Sequence, residues 1–178
     1  MQKAIDSNPL VILVDEHDNQ TGVIDKLSAH QKGLLHRAFS IFIFNSKGEI
    51  LLQKRSSSKY HSPGLWTNTC CSHPLPQEDI MAAANRRLKE EMGMKCELKT
   101  VFSFIYHVQL DQGMTEHEFD HVLIGYADIK PILNLEEAED YKYVSTQQVI
   151  QDILNNPNDF TEWFKIAINK LTNYLEIK

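Results

Sequence analysis

Residues 38–44 read AFSIFIF, and after the polar NSKG a second apolar run, EILLQK, follows at 49–54. Two runs of strand length joined by a short turn predict a β-hairpin, which commits the chain to a sheet. Further strands are expected at LVILV (10–14), before a polar turn around DEHDNQTG, and at TVFSFIYHVQL (100–110) and EHEFDHVLIGYADI (116–129), with DQGM turning between the last two. SSSKYHSPG reads as a loop. Helix is expected from 77 to 92, with Glu78 and Asp79 in its first turn and Gly93 as a stop. A second helix is expected from 160 to 175, where Trp163, Phe164, Ala167, Ile168, Leu171 and Leu175 recur at helical intervals. The mixture predicts an α+β architecture with helices packed on a sheet. No repeat, linker or low-complexity tract divides residues 1–178, so one domain is expected.

A net charge of −6 disfavours general binding to nucleic acid or anionic membranes, while leaving room for a local basic pocket. No apolar run approaches the roughly 20 residues that span a bilayer. The opening MQKAIDSNPLVILVDEHDNQ lacks the pattern of a signal peptide, and a cytoplasmic protein is expected. Three cysteines, Cys70, Cys71 and Cys96, are an odd number, which argues against a disulfide framework. A bond between the neighbours Cys70 and Cys71 would close a strained small ring.

The stretch TNTCCSHP (67–74) then leaves metal ligation, a reactive thiol or packing for its cysteines and histidine. Of the 8 histidines, His30, His36, His73, His107 and His117 carry the most interest. His30 and His36 bracket AHQKGLLH ahead of the apolar strand, and His73 lies in the cysteine loop. Glu116 and Glu118 stand two apart in an expected strand, so they share one face, an arrangement that needs a cation or a shared proton. Three imidazoles with two carboxylates would suit Zn, Mn, Mg or Fe, while a solvated EHE edge segment accounts equally well for the spacing. Around the helix ending at Gly93, Glu78, Glu90 and Glu91 mix with Arg86 and Arg87. Arg55 and Lys59 add positive charge before the cysteine loop, a combination suited to a phosphorylated substrate.

From Glu78, seven residues lead to Arg86, then Arg87-Leu88-Lys89-Glu90-Glu91-Met92-Gly93-Met94. This spacing resembles the Nudix box, with two departures. Ser72 stands at the position of its opening glycine, and Arg87 replaces the first glutamate of the Arg-Glu pair. Replacing that carboxylate by a cation implies binding a diphosphate without cutting it. Together with AHQKGLLHRAFSIFIFN, SPGLWTNTCCSHP, FIYH and EHEFDHVLIG, the chain resembles the type 1 isopentenyl-diphosphate isomerases, Nudix-like enzymes that interconvert isopentenyl and dimethylallyl diphosphate in isoprenoid biosynthesis.

The resemblance implies a Nudix-like fold, a mixed β-sheet sandwiched between α-helices. It implies a divalent metal (Zn, Mn or Mg) held by His30, His36, His73, Glu116 and Glu118, and catalysis by Cys71, Glu118 and Tyr106. Glu91 would hold a Mg2+ carried in with the diphosphate. Lys26, Arg55, Lys59 and Arg87 would face that diphosphate, and Trp163 the hydrocarbon. The expected partner is a small isoprenoid diphosphate, with no nucleic acid and no membrane, for a monomer or weak homodimer. Two alternatives stand beside this: a Nudix-type hydrolase of a nucleoside diphosphate derivative, and a non-enzymatic module stapled by metal at His30, His36 and His73.

Overall fold

The computed structural model describes residues 9–177. Residues 1–8, part of the stretch that lacks a signal-peptide pattern, and Lys178 lie outside the described residues. The strands are β1 (Leu10–Val14), β2 (Gln20–Asp25), β3 (His36–Phe44), β4 (Glu49–Arg55), β5 (Trp66–Thr67), β6 (Cys70–Ser72), β7 (Leu98–Gln109), β8 (Thr115–Tyr126) and β9 (Ala138–Ser145). The helices are α1 (Lys26–Lys32), α2 (Ile80–Met92), α3 (Thr146–Asn155) and α4 (Glu162–Glu176).

AFSIFIF and EILLQK are antiparallel strands, but the expected hairpin closes at one ladder pair, Phe44 with Ile50. Beyond it the strands splay, because each has a better partner. β3 pairs in parallel with β8 from His36↔Glu118 to Phe44↔Tyr126, and antiparallel with β6 through Ser40↔Cys71. β4 pairs along its length with β9. The sheet is therefore mixed, and it separates two cores by side-chain parity. Phe39, Ile41 and Ile43 meet Ala83, Leu88 and Met92 of α2 on one face. Phe42 and Phe44 meet Phe164, Ala167, Ile168 and Leu171 of α4 on the other. Alternate residues pointing to opposite faces make AFSIFIF a continuous apolar run. The expected sheet between helices is the observed one.

Several boundaries differ from expectation. The polar turn ends at Asn19, and QTGVID continues as β2, antiparallel to β1. AHQKGLLH contains the last turn of α1, which stops at Gly33 in the left-handed region (φ 61°). AEDYKYVS and TQQVIQDILN, unassigned from sequence, form β9 and α3. α2 starts at Ile80 rather than 77, because Asp79 caps it by accepting from Ala82 N at 2.9 Å and Gln77 has φ 69°. Glu78 thus precedes the helix and reaches back onto it, accepting from Arg86 Nε at 2.8 Å and Nη2 at 2.7 Å.

Gly93 ends α2 as expected, at φ 62°. A Cβ there would lie 2.6 Å from the Ile132 carbonyl oxygen and 2.8 Å from its Cβ. Ile132 is itself held by its N–H to Met92 O at 2.9 Å, so it has little room to retreat. Gly93→Ala is expected to lower unfolding free energy by about 2 kcal/mol or more in denaturant titration, combining left-handed strain with the clash. The forked Arg86 contact, joined by Leu75 N–H, holds Glu78 below the ordinary carboxylate range. A lowered folded pKa contributes stability above the unfolded value and loses it as pH falls. Glu78→Gln should therefore cost about 1 kcal/mol at pH 7, a difference that closes below about pH 4 when both proteins are titrated with denaturant.

Candidate active site

The site forms where β3 and β8 begin side by side. Their parallel register places His36 beside Glu118, while the β6 pairing brings Cys71 next to Ser40 and carries the chain on to His73. α1 contributes His30, fully buried. One ligand atom each from His30, His36, His73 and Glu118 gather within 4.8 Å of one another.

Hydrogen bonds orient these groups. His36 Nδ1 donates to Leu34 O at 2.7 Å, and its Nε2 faces His73 Nε2 at 3.2 Å. His73 Nε2 lies 2.8 Å from Glu118 Oε1, and His36 Nε2 lies 3.5 Å from the same oxygen. His30 Nε2 is buried without a partner. One proton on His73 thus serves atoms that all converge on it, and a fourth is left unsatisfied. Neutral imidazole nitrogens and a carboxylate aimed at one point fit a divalent cation. The electrostatics agree. Burial, with His73 and Lys26 nearby, pushes His30 down to about 2, and burial with Lys26 pushes His73 down to about 4, so both rings are neutral at pH 7 and free to ligate.

Glu116, expected in the same ligand set, shares the buried face of β8 and is joined to Glu118 through Tyr106. The Tyr106 hydroxyl lies 3.0 Å from Glu116 Oε2 and 2.6 Å from Glu118 Oε2. The two carboxylates separate electrostatically. Burial and the charge of Glu118 drive Glu116 well above the ordinary range, so it holds a proton. Glu118 suffers the same burial but is pulled well below that range by His36 and His73. Tyr106 is driven up by burial and by both glutamates, so it stays a hydroxyl donor.

Cys71 is half-buried opposite no disulfide partner; its neighbour Cys70 is fully buried in the α2-side core. Burial raises the Cys71 pKa, and Arg55 offsets only part of that, so the group is a thiol at rest. A cavity of about 30 Å³ collects Cys71, Tyr106, Glu116, Glu118 and Trp163 on its wall. Trp163 is buried, and the Arg55 guanidinium lies 5.1 Å over its ring. A second cavity, about 70 Å³, is bordered by Lys26, Arg55, Lys59, Arg87 and Glu91. Both share wall residues, Lys26 and Ser72, with a larger vestibule of about 560 Å³ that Lys26, Lys59, Arg86 and Arg87 line. Lys26, Arg55, Lys59 and Arg87 thus all border the second cavity.

Arg87 is the hinge of the second cavity. Its Nη2 donates to Glu91 Oε1 at 2.7 Å and Glu137 Oε1 at 3.0 Å, and its Nη1 to Glu90 at 2.8 Å. Lys59 pairs with the other oxygen of Glu137. Glu91 is buried and also accepts from Gln53 Nε2 at 2.8 Å.

His107 and His117 lie apart from this group. They face each other across β7 and β8 with ring centres 4.9 Å apart, and His117 Nδ1 bonds Gly33 O at 3.0 Å. Three site residues escaped the sequence reading. Asp120 continues the Glu116–Glu118 face, buried, taking a bond from Ser40 Oγ at 2.8 Å; its i+2 spacing was the available signal. Glu137 and His61 sit in loops whose spacing carried none.

The NUDIX domain family model matches residues 34–164. Among characterised relatives, the chain is 55% identical over 163 residues to an isopentenyl-diphosphate Delta-isomerase 2 of Photorhabdus laumondii, covering 92% of each chain. It is 48% identical to an isopentenyl-diphosphate Delta-isomerase of Pectobacterium atrosepticum, again over 92% of each. A crystal structure from Deinococcus radiodurans aligns with TM-score 0.76 at 17% identity, covering 90% of this chain and 98% of that one. A Nudix hydrolase from M. smegmatis aligns with TM-score 0.59 at 15% identity, covering 96% of each. At such identities these two structures speak for the fold alone.

A cation in the His/Glu cluster would bind the folded chain only, so it stabilises by mass action. Adding Zn2+ or Mn2+ to chelator-treated protein, at about 100 times Kd, is expected to raise unfolding free energy by about 2.7 kcal/mol. His36→Ala should abolish most of that gain, read as the shift in thermal unfolding midpoint with and without metal.

Proposed function

This chain belongs to the isopentenyl-diphosphate Delta-isomerases, a family built on the NUDIX domain, and from that membership we propose that it interconverts isopentenyl and dimethylallyl diphosphate in isoprenoid biosynthesis. The observation that carries the proposal is the small chamber that collects a thiol, a hydroxyl and two carboxylates beside a cation-lined cavity. Moving a double bond by one carbon requires a proton delivered at one end and another removed from the other. An acid and a base must therefore face the same five-carbon unit, and the intervening tertiary cation must be kept from water.

Cys71 and Glu118 take those two roles. With Cys71 exchanging the proton at C2 and Glu118 the proton at C4, each group serves as acid in one direction and base in the other. The resting protonation state, thiol at Cys71 and carboxylate at Glu118, is ready for the dimethylallyl-to-isopentenyl direction. The opposite direction begins from the tautomer with the proton on the Glu118 side. Tyr106 bridges Glu118 to protonated Glu116 and provides a hydrogen-bonded route for that transfer. Trp163 walls the hydrocarbon, and its ring contributes roughly 0.5–2 kcal/mol toward a cation held against its face.

His30, His36, His73 and Glu118 would hold a divalent metal, Zn, Mn or Mg, and Glu116, the fifth ligand that the resemblance implies, would join them only on releasing its proton. That metal supplies orientation of Glu118 and tuning of its acidity. Lys26, Arg55, Lys59 and Arg87 bind the diphosphate, and Glu91 would hold the Mg2+ that accompanies it. Arg87 engages Glu91 rather than extending a run of free carboxylates, which supports binding without hydrolysis. No described helix is long and apolar enough to cross a membrane. We take residues 1–178 as one cytoplasmic domain, monomeric or weakly dimeric.

Incubated with isopentenyl diphosphate and a divalent metal in deuterated water, the protein is expected to yield deuterium-labelled dimethylallyl diphosphate, read by mass spectrometry. Cys71→Ala and Glu118→Gln should each lower turnover by about 100-fold or more. Full activity in both variants, or release of phosphate in place of an isomer, contradicts the assignment.

A further inference from the structure

Gln53 is a polar side chain in the buried part of β4, with 3% of its surface exposed. It stands two residues after Leu51, which packs in the core against α2, so the two share that face of the sheet. Its amide nitrogen uses both hydrogens. One goes to the Thr69 carbonyl and the other to Glu91 Oε2, each at 2.8 Å. Both neighbours are acceptors, so the amide has one workable orientation. An apolar side chain would continue the face of Leu51 and fill the same space. The amide instead ties α2 to the loop that carries Cys71.

The two groups it joins differ in how firmly they are held. Thr69 is fixed to the sheet, its Oγ1 donating to Leu51 O at 2.6 Å and accepting from Ile43 N at 2.9 Å. Two residues on, Cys71 pairs with Ser40 of β3. Glu91 hangs from α2 between two donors, Arg87 on Oε1 at 2.7 Å and Gln53 on Oε2. Arg87 lies on the same helix and is shared with Glu90 and Glu137, so Gln53 is the donor that fixes Glu91 to the sheet. Gln53, Cys71 and Glu91 all border the same cation-lined cavity. A carboxylate oxygen accepts more than one bond, so with both donors in place Glu91 keeps lone pairs for a cation.

We propose that Gln53 is a positioning residue that locks the Glu91 carboxylate to the Cys71 loop, so that the Mg2+ carried by the diphosphate sits at a fixed place relative to the thiol. This rests on the reading of Glu91 and of the isomerase given above. A partner that orients a metal ligand is worth about 10–100-fold in metal affinity. Lys26, Arg55, Lys59 and Arg87 hold a metal-free diphosphate whether or not Gln53 is present. The loss should therefore fall on the Mg2+-dependent part of binding and leave the rest.

Inorganic pyrophosphate, which has no hydrocarbon to isomerise, is the probe. Its affinity is measured by calorimetry with and without Mg2+ for wild type, Gln53→Met, Glu91→Gln and the double variant. Methionine keeps the length of glutamine and removes both donors. Gln53→Met is expected to lose about 10-fold or more of the tightening that Mg2+ brings, with Mg2+-free affinity changed less than about 3-fold. Added to Glu91→Gln, it should change the Mg2+ effect less than about 2-fold, because the group it orients is already gone. If Gln53→Met does not fold, the side-chain amide resonances of Gln53 in the wild-type protein decide. They should shift when Mg2+ is added to the pyrophosphate complex. Full Mg2+ tightening in Gln53→Met, an equal loss with and without Mg2+, independent effects of the two substitutions, or unmoved amide resonances overturns the proposal. Wild-type binding that ignores Mg2+ overturns the reading of Glu91 and this proposal with it. Absence of turnover with isopentenyl diphosphate would instead overturn the isomerase assignment and leave the pyrophosphate result standing.

Discussion

A buried carboxylate pair on β8 governs the site. Glu116 and Glu118 point the same way from a strand that is otherwise core, with Asp120 continuing their face. Three acidic groups in apolar surroundings cannot all ionise. The fold answers by placing a different partner at each. His36 of β3 and His73 after β6 meet Glu118 and stabilise its charge, with His30 of α1 gathered beside them. Tyr106 bridges to Glu116, which keeps its proton. Ser40 meets Asp120, likewise driven up by burial. The result is one anion with neutral acids on the same strand, a gradient of proton affinity within a few ångströms.

That gradient is useful only if water stays out and the substrate enters in one orientation. Both conditions come from the outer shell. The charges of Lys26, Lys59 and Arg87 lie on the vestibule side, and the acid–base chamber is small and walled by Trp163, Tyr106 and Cys71. In the proposed reading the diphosphate stays on the vestibule side, where Lys59, Arg86 and Arg87 add to Lys26, and the hydrocarbon enters the chamber. On α2, Arg86 and Arg87 occupy Glu78, Glu90, Glu91 and Glu137 in ion pairs. In the proposed reading this helix clamps the diphosphate end, away from the double bond.

Much of this was readable from the chain, unevenly. The central strand and α2 were plain because their patterns are local: AFSIFIF alternates between two cores, and Gly93 ends its helix where no Cβ fits. AEDYKYVS carries few strong apolar signals, and β9 is held by its ladder to β4 more than by its own composition; for α3 a signal was present, Val149, Ile150, Ile153 and Leu154 at helical spacing behind the Ser145 cap. The hairpin was only partly right, since nothing local reveals that β3 takes a parallel partner eighty-odd residues downstream. Within the site, spacing paired Glu116 with Glu118, but the resemblance was needed to bring His30, His36 and His73 to them. His61 and Glu137 were invisible because their places at the site arise from where loops dock. The resting state of Cys71 was hidden for a related reason: sequence shows the nearby cations but not the burial that outweighs them.

The account stands on the claim that the convergence of imidazoles on Glu118 is a metal site rather than a hydrogen-bonded cluster. The most direct measurement is an anomalous difference map from crystals grown with Mn2+ or Zn2+, collected at the metal edge. A single peak about 2.0–2.2 Å from Nε2 of His30, His36 and His73 and from a Glu118 carboxylate oxygen is the predicted result. A map without a peak at that point, with metal bound elsewhere or not at all, would contradict it.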